Sequence, residues 1–146
     1  MKIFLDTSSL FKLYHREVGT EELELTLSTI QIENIFLSEI LKIEFTSTVW
    51  KKVRTKEITE LEAQVTLDLF ESDFGKFTFC AVNSMIIEQA RILISKYGMK
   101  GLRTLDSIQL STSVLLSQQV DIFFTADKLL KSFFELEGLP TEVSQR

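Results

Sequence analysis

The apolar residues of this chain come in short bursts, the longest unbroken run being the four residues Phe79 to Val82. Between the bursts lie longer stretches whose apolar positions repeat at helical spacing. Runs this short cannot span a bilayer, which takes about 20 apolar residues in succession. They suit buried strands, and their alternation with amphipathic stretches is the pattern of βαβ units, a parallel sheet covered by helices. At 146 residues the chain has the size of one domain, and residues 1–146 are read as a single one.

Ile3 to Leu5 reads as the first strand, with Thr7, Ser8 and Ser9 as N-cap candidates for a short helix through Tyr14. Gly19-Thr20 with Glu21 and Glu22 opens the next helix, its acids where the macrodipole favours them. Asn34 to Leu37 is a second strand, and Ser38 is read as the cap of a helix to about Arg54. Thr59 and Glu62 form a capping box for a helix to about Asp73, and these two helices are expected to make a hairpin. Lys76 to Val82 alternates like a third strand. Asn83 caps a helix ending at Gly98, and Thr104 opens another through about Ser117. Ile122 to Thr125 is the fourth strand, Asp127 starts a helix ending near Gly138, and Pro140 is expected to lead into a short edge strand.

Scarce residue types remove whole chemistries. A single cysteine, Cys80, permits no internal disulfide and no cysteine zinc cluster, which fits a reducing compartment. A single histidine, His15, leaves no imidazole cluster, and its setting in Leu13-Tyr14-His15-Arg16-Glu17 has no nucleophile-elbow pattern. Asp6 breaks the first apolar run before a signal-peptide core can form, so the expected location is cytoplasmic, with no membrane segment. Acids outnumber bases, 21 to 16, for a net charge of −5. Taken alone, that balance argues against broad electrostatic adhesion to phosphate.

In an open parallel sheet, ligands bind beyond the carboxyl ends of the strands. Asp6 and Asp127 follow the first and fourth strands and would share that rim. Asp121 serves as a control: about 20 Å of extended chain, at roughly 3.3 Å per residue, puts it on the opposite rim from Asp127. Glu44 interrupts an apolar helix face between Ile43 and Phe45, with Ile40 and Leu41 a turn earlier. Asp106 does the same between Leu105 and Ser107, with Leu102 and Leu110 a turn away. Singly, each has a structural explanation: Asp6 and Asp127 as helix caps, Asp106 as a first-turn acid, Glu44 as a partner for the basic end of its helix. Jointly, four acids that can converge on one rim, with no histidine or cysteine to share ligation, point to a hard cation.

Four segments then occur together in a recognisable order: Leu5-Asp6-Thr7-Ser8-Ser9-Leu10 with Lys12-Leu13-Tyr14, Leu37-Ser38-Glu39-Ile40 with Glu44, Leu102 to Ser111, and Phe124-Thr125-Ala126-Asp127-Lys128-Leu129-Leu130. Over nearly its whole length the chain resembles the PIN domain, above all the VapC-type ribonuclease toxins of toxin–antitoxin modules. The resemblance implies an α/β fold, a three-layer α/β/α sandwich with a short central parallel sheet of four to five strands. It implies a metal-dependent endoribonuclease whose acidic quartet falls on Asp6, Glu44, Asp106 and Asp127. Asp6, Asp106 and Asp127 would hold the metal, with Glu44 as a further ligand or as the residue orienting the attacking water. Mg²⁺ is the implied cofactor, with Mn²⁺ as the alternative, and Ser8 and Thr125 are the hydroxyls that would steady the carboxylates. The implied partners are an RNA substrate, a small antitoxin protein and a second copy of the chain in a homodimer. Ser107 and Ser111 stand where relatives often have alanine, and Lys128 and Leu129 stand where some members carry a further acid for a second metal.

Lys51, Lys52, Arg54 and Lys56 crowd the end of the Glu44 helix, as RNA contacts or as complements to the helix dipole. Leu61, Val65, Leu67, Leu69, Phe70 and Phe74 on the second hairpin helix are read mainly as core, and the resemblance implies an antitoxin groove there. Two other classes compete. A phosphoacceptor domain also places an Asp after strand one, but Ser8 stands where dehalogenase-like enzymes have their second Asp. A catalytically idle family member would not be expected to retain all four acids. If four of the 21 acids form one cation site, the remainder nearly balances the 16 bases, and net charge ceases to exclude a phosphate-bearing substrate.

Overall fold

The first apolar run forms strand β1 (Lys2–Leu5), and its alternation decides the layering. Ile3 and Leu5 pack on one side of the sheet and Phe4 on the other, all three fully buried. The computed structural model describes residues 1–143. Its sheet has four parallel strands, β1, β2 (Asn34–Ser38), β3 (Thr78–Cys80) and β4 (Ile122–Phe124), in the order β3-β2-β1-β4. Ile3 pairs with Ile35 on one side and with Ile122 on the other. The helices are α1 (Thr7–Phe11), α2 (Thr20–Ser28), α3 (Leu41–Arg54), α4 (Glu60–Ser72), α5 (Ser84–Tyr97), α6 (Thr104–Leu115) and α7 (Lys128–Leu136).

Each face of the sheet has its own core. Phe4, Phe36 and Phe123 pack with Leu93 and Tyr97 of α5, Leu110 of α6 and Phe133 of α7. On the other face, Ile3, Leu5, Leu37 and Phe124 pack with Leu10 and Phe11 of α1, Phe45 and Val49 of α3, and Phe70 of α4. The result is the three-layer α/β/α sandwich. In the second core the Phe45 ring stacks on Phe70 with centroids 4.0 Å apart, and Phe11 and Tyr14 flank it at 5.3 Å each. In the first core, small Ser111 faces α5 and donates to the Ile86 carbonyl at 2.8 Å. The buried hydroxyls of Ser107, Thr112 and Ser113 return to carbonyls of their own helix. Serines in place of alanines on α6 therefore leave no unpaired donor in the core.

Several boundaries differ from the sequence expectation. The sheet has four strands among the described residues, with no fifth after Pro140. There the chain makes one backbone bond to β4, from the Phe123 N–H to the Pro140 carbonyl at 2.9 Å. Pro140 has no N–H to return, which works against a ladder. Strand β3 is shorter than Lys76–Val82: the β2 ladder pairs only Thr78, Phe79 and Cys80, and Phe74–Lys76 form a 3-10 turn. Helix α1 ends at Phe11 rather than Tyr14, and its cap is Asp6 rather than a hydroxyl of Thr7, Ser8 or Ser9. Ser38 ends β2, its hydroxyl accepting from the Ile40 N–H at 3.2 Å in the turn, and α3 starts at Leu41 without a side-chain cap. The Thr59–Glu62 capping box and the Asn83 cap are present. Asp121 lies at the opposite rim, where its carboxylate accepts from the Lys2 N–H at 2.7 Å. No helix of the described residues is long and apolar enough to cross a membrane.

Phe45 is fully buried at the centre of the aromatic stack. Phe45→Ala is expected to cost about 3–5 kcal/mol, read as a lowered urea midpoint with unchanged slope. A loss below about 1 kcal/mol would show that this core carries little of the stability.

Candidate functional site

The chain leaves β1 toward β2 on one side and reaches β4 on the other, so a crevice opens at the carboxyl ends of β1 and β4. Asp6 stands there because it ends a strand and starts a helix. Its Oδ1 accepts the Ser9 N–H at 2.9 Å, capping α1. The same carboxylate accepts the hydroxyls of Ser9 at 2.9 Å, Ser8 at 2.9 Å from each oxygen, and Thr125 at 2.6 Å. Asp6 is only 3% exposed. Burial pushes its pKa up, and these donors, Thr125 foremost, pull it back down.

Ser8 and Thr125 also bind the far side of the crevice. The Ser8 hydroxyl accepts the Ala126 N–H at 2.9 Å, and the Thr125 hydroxyl accepts the Asp127 N–H at 3.1 Å. The start of α7 is thereby tied to Asp6. Asp127 caps α7 through Oδ1, which accepts the Leu130 N–H at 2.9 Å, and its side chain remains exposed.

Glu44 reaches the rim from α3. Its Oε1 accepts the Thr7 hydroxyl at 3.0 Å and the Gln109 amide at 3.0 Å. Burial raises the Glu44 pKa, the bonds from Gln109 and Thr7 lower it, and the Asp6 charge raises it again. Gln109 belongs to α6, in the opposite helical layer, so this contact joins the two layers over the strand ends. The Gln109 amide nitrogen also donates to the Thr7 hydroxyl at 3.1 Å, while its Oε1 is buried without a partner among the described residues. An orphaned buried acceptor costs about 1–3 kcal/mol. Asp106, nearly one turn before Gln109, is half-buried. Its carboxyl is pushed up to about 6, by burial first and then by the charges of Asp127, Glu44 and Asp6, against a pull from Arg103. The four acids therefore share one electrostatic neighbourhood.

A cleft of about 460 Å³ opens on this rim, lined in part by Thr7, Ser8, Glu44, Thr48, Lys52 and Asp127. Glu44, Thr48 and Lys52 fall on one helix face at successive i,i+4 steps. Glu17 sits between two lysines of this cleft, 3.1 Å from Lys12 and 3.8 Å from Lys52, and Lys52 also pairs with Glu57 at 2.7 Å. Lys51 and Arg54 are exposed. No three acids of the described residues lie close enough to cage an ion by themselves. An all-oxygen donor set beside an open cleft nevertheless suits Mg²⁺ or Mn²⁺, since Mg²⁺ keeps several waters and takes one or two protein carboxylates together with substrate phosphates. The residues fit such a cation.

Sequence reasoning did not single out Gln109, and it took Thr7 and Ser9 only as cap candidates. Gln109 had a legible signal: an amide one turn after Asp106, flanked on its helix by the buried Ile108 and Leu110. Ser9 had none, because a serine near a helix start is usually a capping residue.

The PIN domain profile matches residues 3–133 of this chain. No curated protein matches it. Solved structures do. VapC20 of Mycobacterium tuberculosis, a sarcin-ricin loop cleaving toxin, aligns with a TM-score of 0.66 at 14% identity, over 89% of this chain and 93% of that one. A toxin–antitoxin complex from Klebsiella pneumoniae aligns with 0.64 at 18%, over 97% and 96%. VapBC2 from Rickettsia felis, bound to a DNA fragment from its promoter, aligns with 0.63 at 19%, over 97% and 98%. At these identities the structural likeness is one of fold. The profile match spans β1 to α7 and includes Asp6, Glu44, Asp106 and Asp127, and on that extent this chain belongs to the PIN domain family.

Proposed function

We propose that the protein is a metal-dependent endoribonuclease, the toxin of a toxin–antitoxin pair, acting in the cytoplasm with Asp6, Glu44, Asp106 and Asp127 as its catalytic acids. The observation that carries this reading is the hydrogen-bonded rim in which Thr125 ties Asp6 to the Asp127 turn and Gln109 ties Glu44 to the helix of Asp106; the Asp106 carboxyl, raised by burial and by its three acidic neighbours, fits it. Acids held this close repel one another, and a divalent cation relieves that repulsion. When bound, Mg²⁺ or Mn²⁺ would lower the pKa of a coordinated water and stabilise charge developing on the phosphodiester.

The chain's own residues divide the remaining work. Asp106 and Asp127 are the direct ligands in this reading. The oxygens of Asp6 already accept from Ser8, Ser9 and Thr125, so Asp6 would help hold the cation chiefly through its charge. Glu44 would serve as a further ligand or orient a water for in-line attack on phosphorus. Ser8 and Thr125 hold Asp6 and the start of α7 in register, as hydroxyls behind a ligand do in many metal sites. Lys52 lines the cleft, and Lys51 and Arg54 extend the basic end of α3, so RNA is proposed to run along that helix. Asp6 is too enclosed for the open line of approach that a phosphoacceptor needs. The presence of all four acids speaks against an idle module.

A small antitoxin and a second copy of the chain are the proposed protein partners. Helix α4 exposes Leu61, Val65 and Leu69, a stripe at i, i+4 and i+8, while Phe70 is buried and Leu67 and Phe74 are partly so. Structural neighbours from Klebsiella pneumoniae and Rickettsia felis are described as toxin–antitoxin and VapBC assemblies.

Asp6→Asn and Asp127→Asn are each expected to slow RNA cleavage in Mg²⁺ by at least about 100-fold, at or beyond the top of the range for residues that only support a ligand. Wild-type rates in either variant would overturn the assignment. Neutralising Lys51 and Lys52 should lower the slope of log affinity against log salt by about 0.7 for each phosphate of single-stranded RNA that they neutralise in the wild type. In chelator, the thermal midpoint should fall as pH rises from 3.8 to about 6, because the Asp106 contribution is complete below its ordinary value and is lost as pH climbs through the raised one. Asp6 and Glu44, also raised, act with the same sign. Mg²⁺ should restore the midpoint above pH 6, and Asp106→Asn should flatten the fall; a pH-independent midpoint in chelator would count against the cluster.

A further inference from the structure

One side chain at the rim stands outside the acid quartet and its hydroxyls. Gln109 of α6 is 2% exposed. Its Nε2 donates to Glu44 Oε1 at 3.0 Å and to Thr7 Oγ1 at 3.1 Å, and Thr7 donates to the same Glu44 oxygen at 3.0 Å. Three side chains from three helices thus close a triangle on one carboxylate oxygen. The other oxygen, Oε2, takes no hydrogen bond from the described residues, and Glu44 lines the cleft.

The orphaned Oε1 of Gln109 makes the arrangement informative. Turning the amide over does not repair it, since the carbonyl would then face the Glu44 carboxylate and the NH₂ would take the place where Oε1 is unpaired. A methionine has nearly the same length and shape and would remove the orphan altogether. The orphaned oxygen is a cost, and what offsets it is the pair of bonds that Nε2 gives Glu44 and Thr7. What the amide does that a thioether cannot is donate to Glu44.

We propose that Gln109 is a positioning residue: with Thr7 it fixes Oε1 of Glu44, so that the carboxylate presents Oε2 alone to the cleft as one oriented acceptor for the cation and its waters. The inference rests on the cation-dependent reading above and deepens it.

Calorimetric titration with Mn²⁺ in the absence of RNA, beside thermal melts and cleavage kinetics, tests the proposal on Gln109→Met, Thr7→Val, Glu44→Gln and the Gln109→Met/Glu44→Gln double variant. Gln109→Met is expected to keep a cooperative melt yet bind Mn²⁺ about 10-fold more weakly or worse, with kcat reduced and KM for RNA little changed. Thr7→Val should weaken Mn²⁺ binding in the same direction. In the double variant the loss should not exceed that of Glu44→Gln alone, because Gln109 acts through Glu44. Mn²⁺ affinity within twofold of wild type in both Gln109→Met and Thr7→Val would overturn the positioning role, as would a lowered melting temperature with unchanged Mn²⁺ affinity. Failure of the wild type itself to bind Mn²⁺ would instead overturn the cation reading, and this inference with it.

Discussion

A carboxylate buried at the mouth of a parallel sheet has to be surrounded by donors, and the rim of this molecule is organised around meeting that need for Asp6. Desolvation of an unpaired carboxylate costs several kcal/mol or more. Ser8 and Ser9 follow Asp6 in the sequence and supply donors locally, but Thr125 comes from the end of β4. The hydroxyls of Ser8 and Thr125 each accept an N–H from the turn into α7. One buried charge thus aligns the ends of two strands, the starts of two helices and the position of Asp127. Cap, clip and candidate ligand are a single hydrogen-bonded unit, so none can be altered independently of the others.

The second organising contact crosses the layers. Helices α3 and α6 lie on opposite faces of the sheet and are joined beyond its strand ends by the bond from Gln109 to Glu44. Asp106, on the same helix as Gln109, faces the charges of Asp127, Glu44 and Asp6. The architecture itself brings acids from the two layers within electrostatic reach of one another at one rim, with Glu44 and Asp127 lining the cleft. Basic residues at its edge are already engaged: Glu17 lies between Lys12 and Lys52, so any phosphate arriving there competes with an internal carboxylate.

Much of this was legible in the residues. The alternation within Ile3-Phe4-Leu5 and Ile122-Phe123-Phe124 marks strands buried on both faces, and the acids that end those strands fall on the rim that an open parallel sheet uses. Glu44 and Asp106 were detectable as charges on apolar helix faces. What was not legible depended on partners distant in sequence. The length of β3 is set by what β2 offers for pairing, not by the alternation of Lys76 to Val82. The failure of the segment after Pro140 to form a strand is likewise a matter of what lies beside it. Ser9 and Gln109 look like an ordinary helix serine and an ordinary polar helix residue until Asp6 and Glu44 are brought against them.

Asp6 meets Thr125 across 119 residues of chain, and Thr7 meets Gln109 across 102. Nothing near Asp6 in the sequence completes its surroundings, because β4, the last strand among the described residues, lies beside the first. Closing so long a loop is the slow, entropy-limited part of folding a parallel sheet. A chain still emerging from the ribosome holds Asp6, Glu44 and eventually Asp106 without the geometry that joins them. The rim is therefore completed only when β4 docks beside β1, after Asp6, Glu44 and Asp106 have all been made.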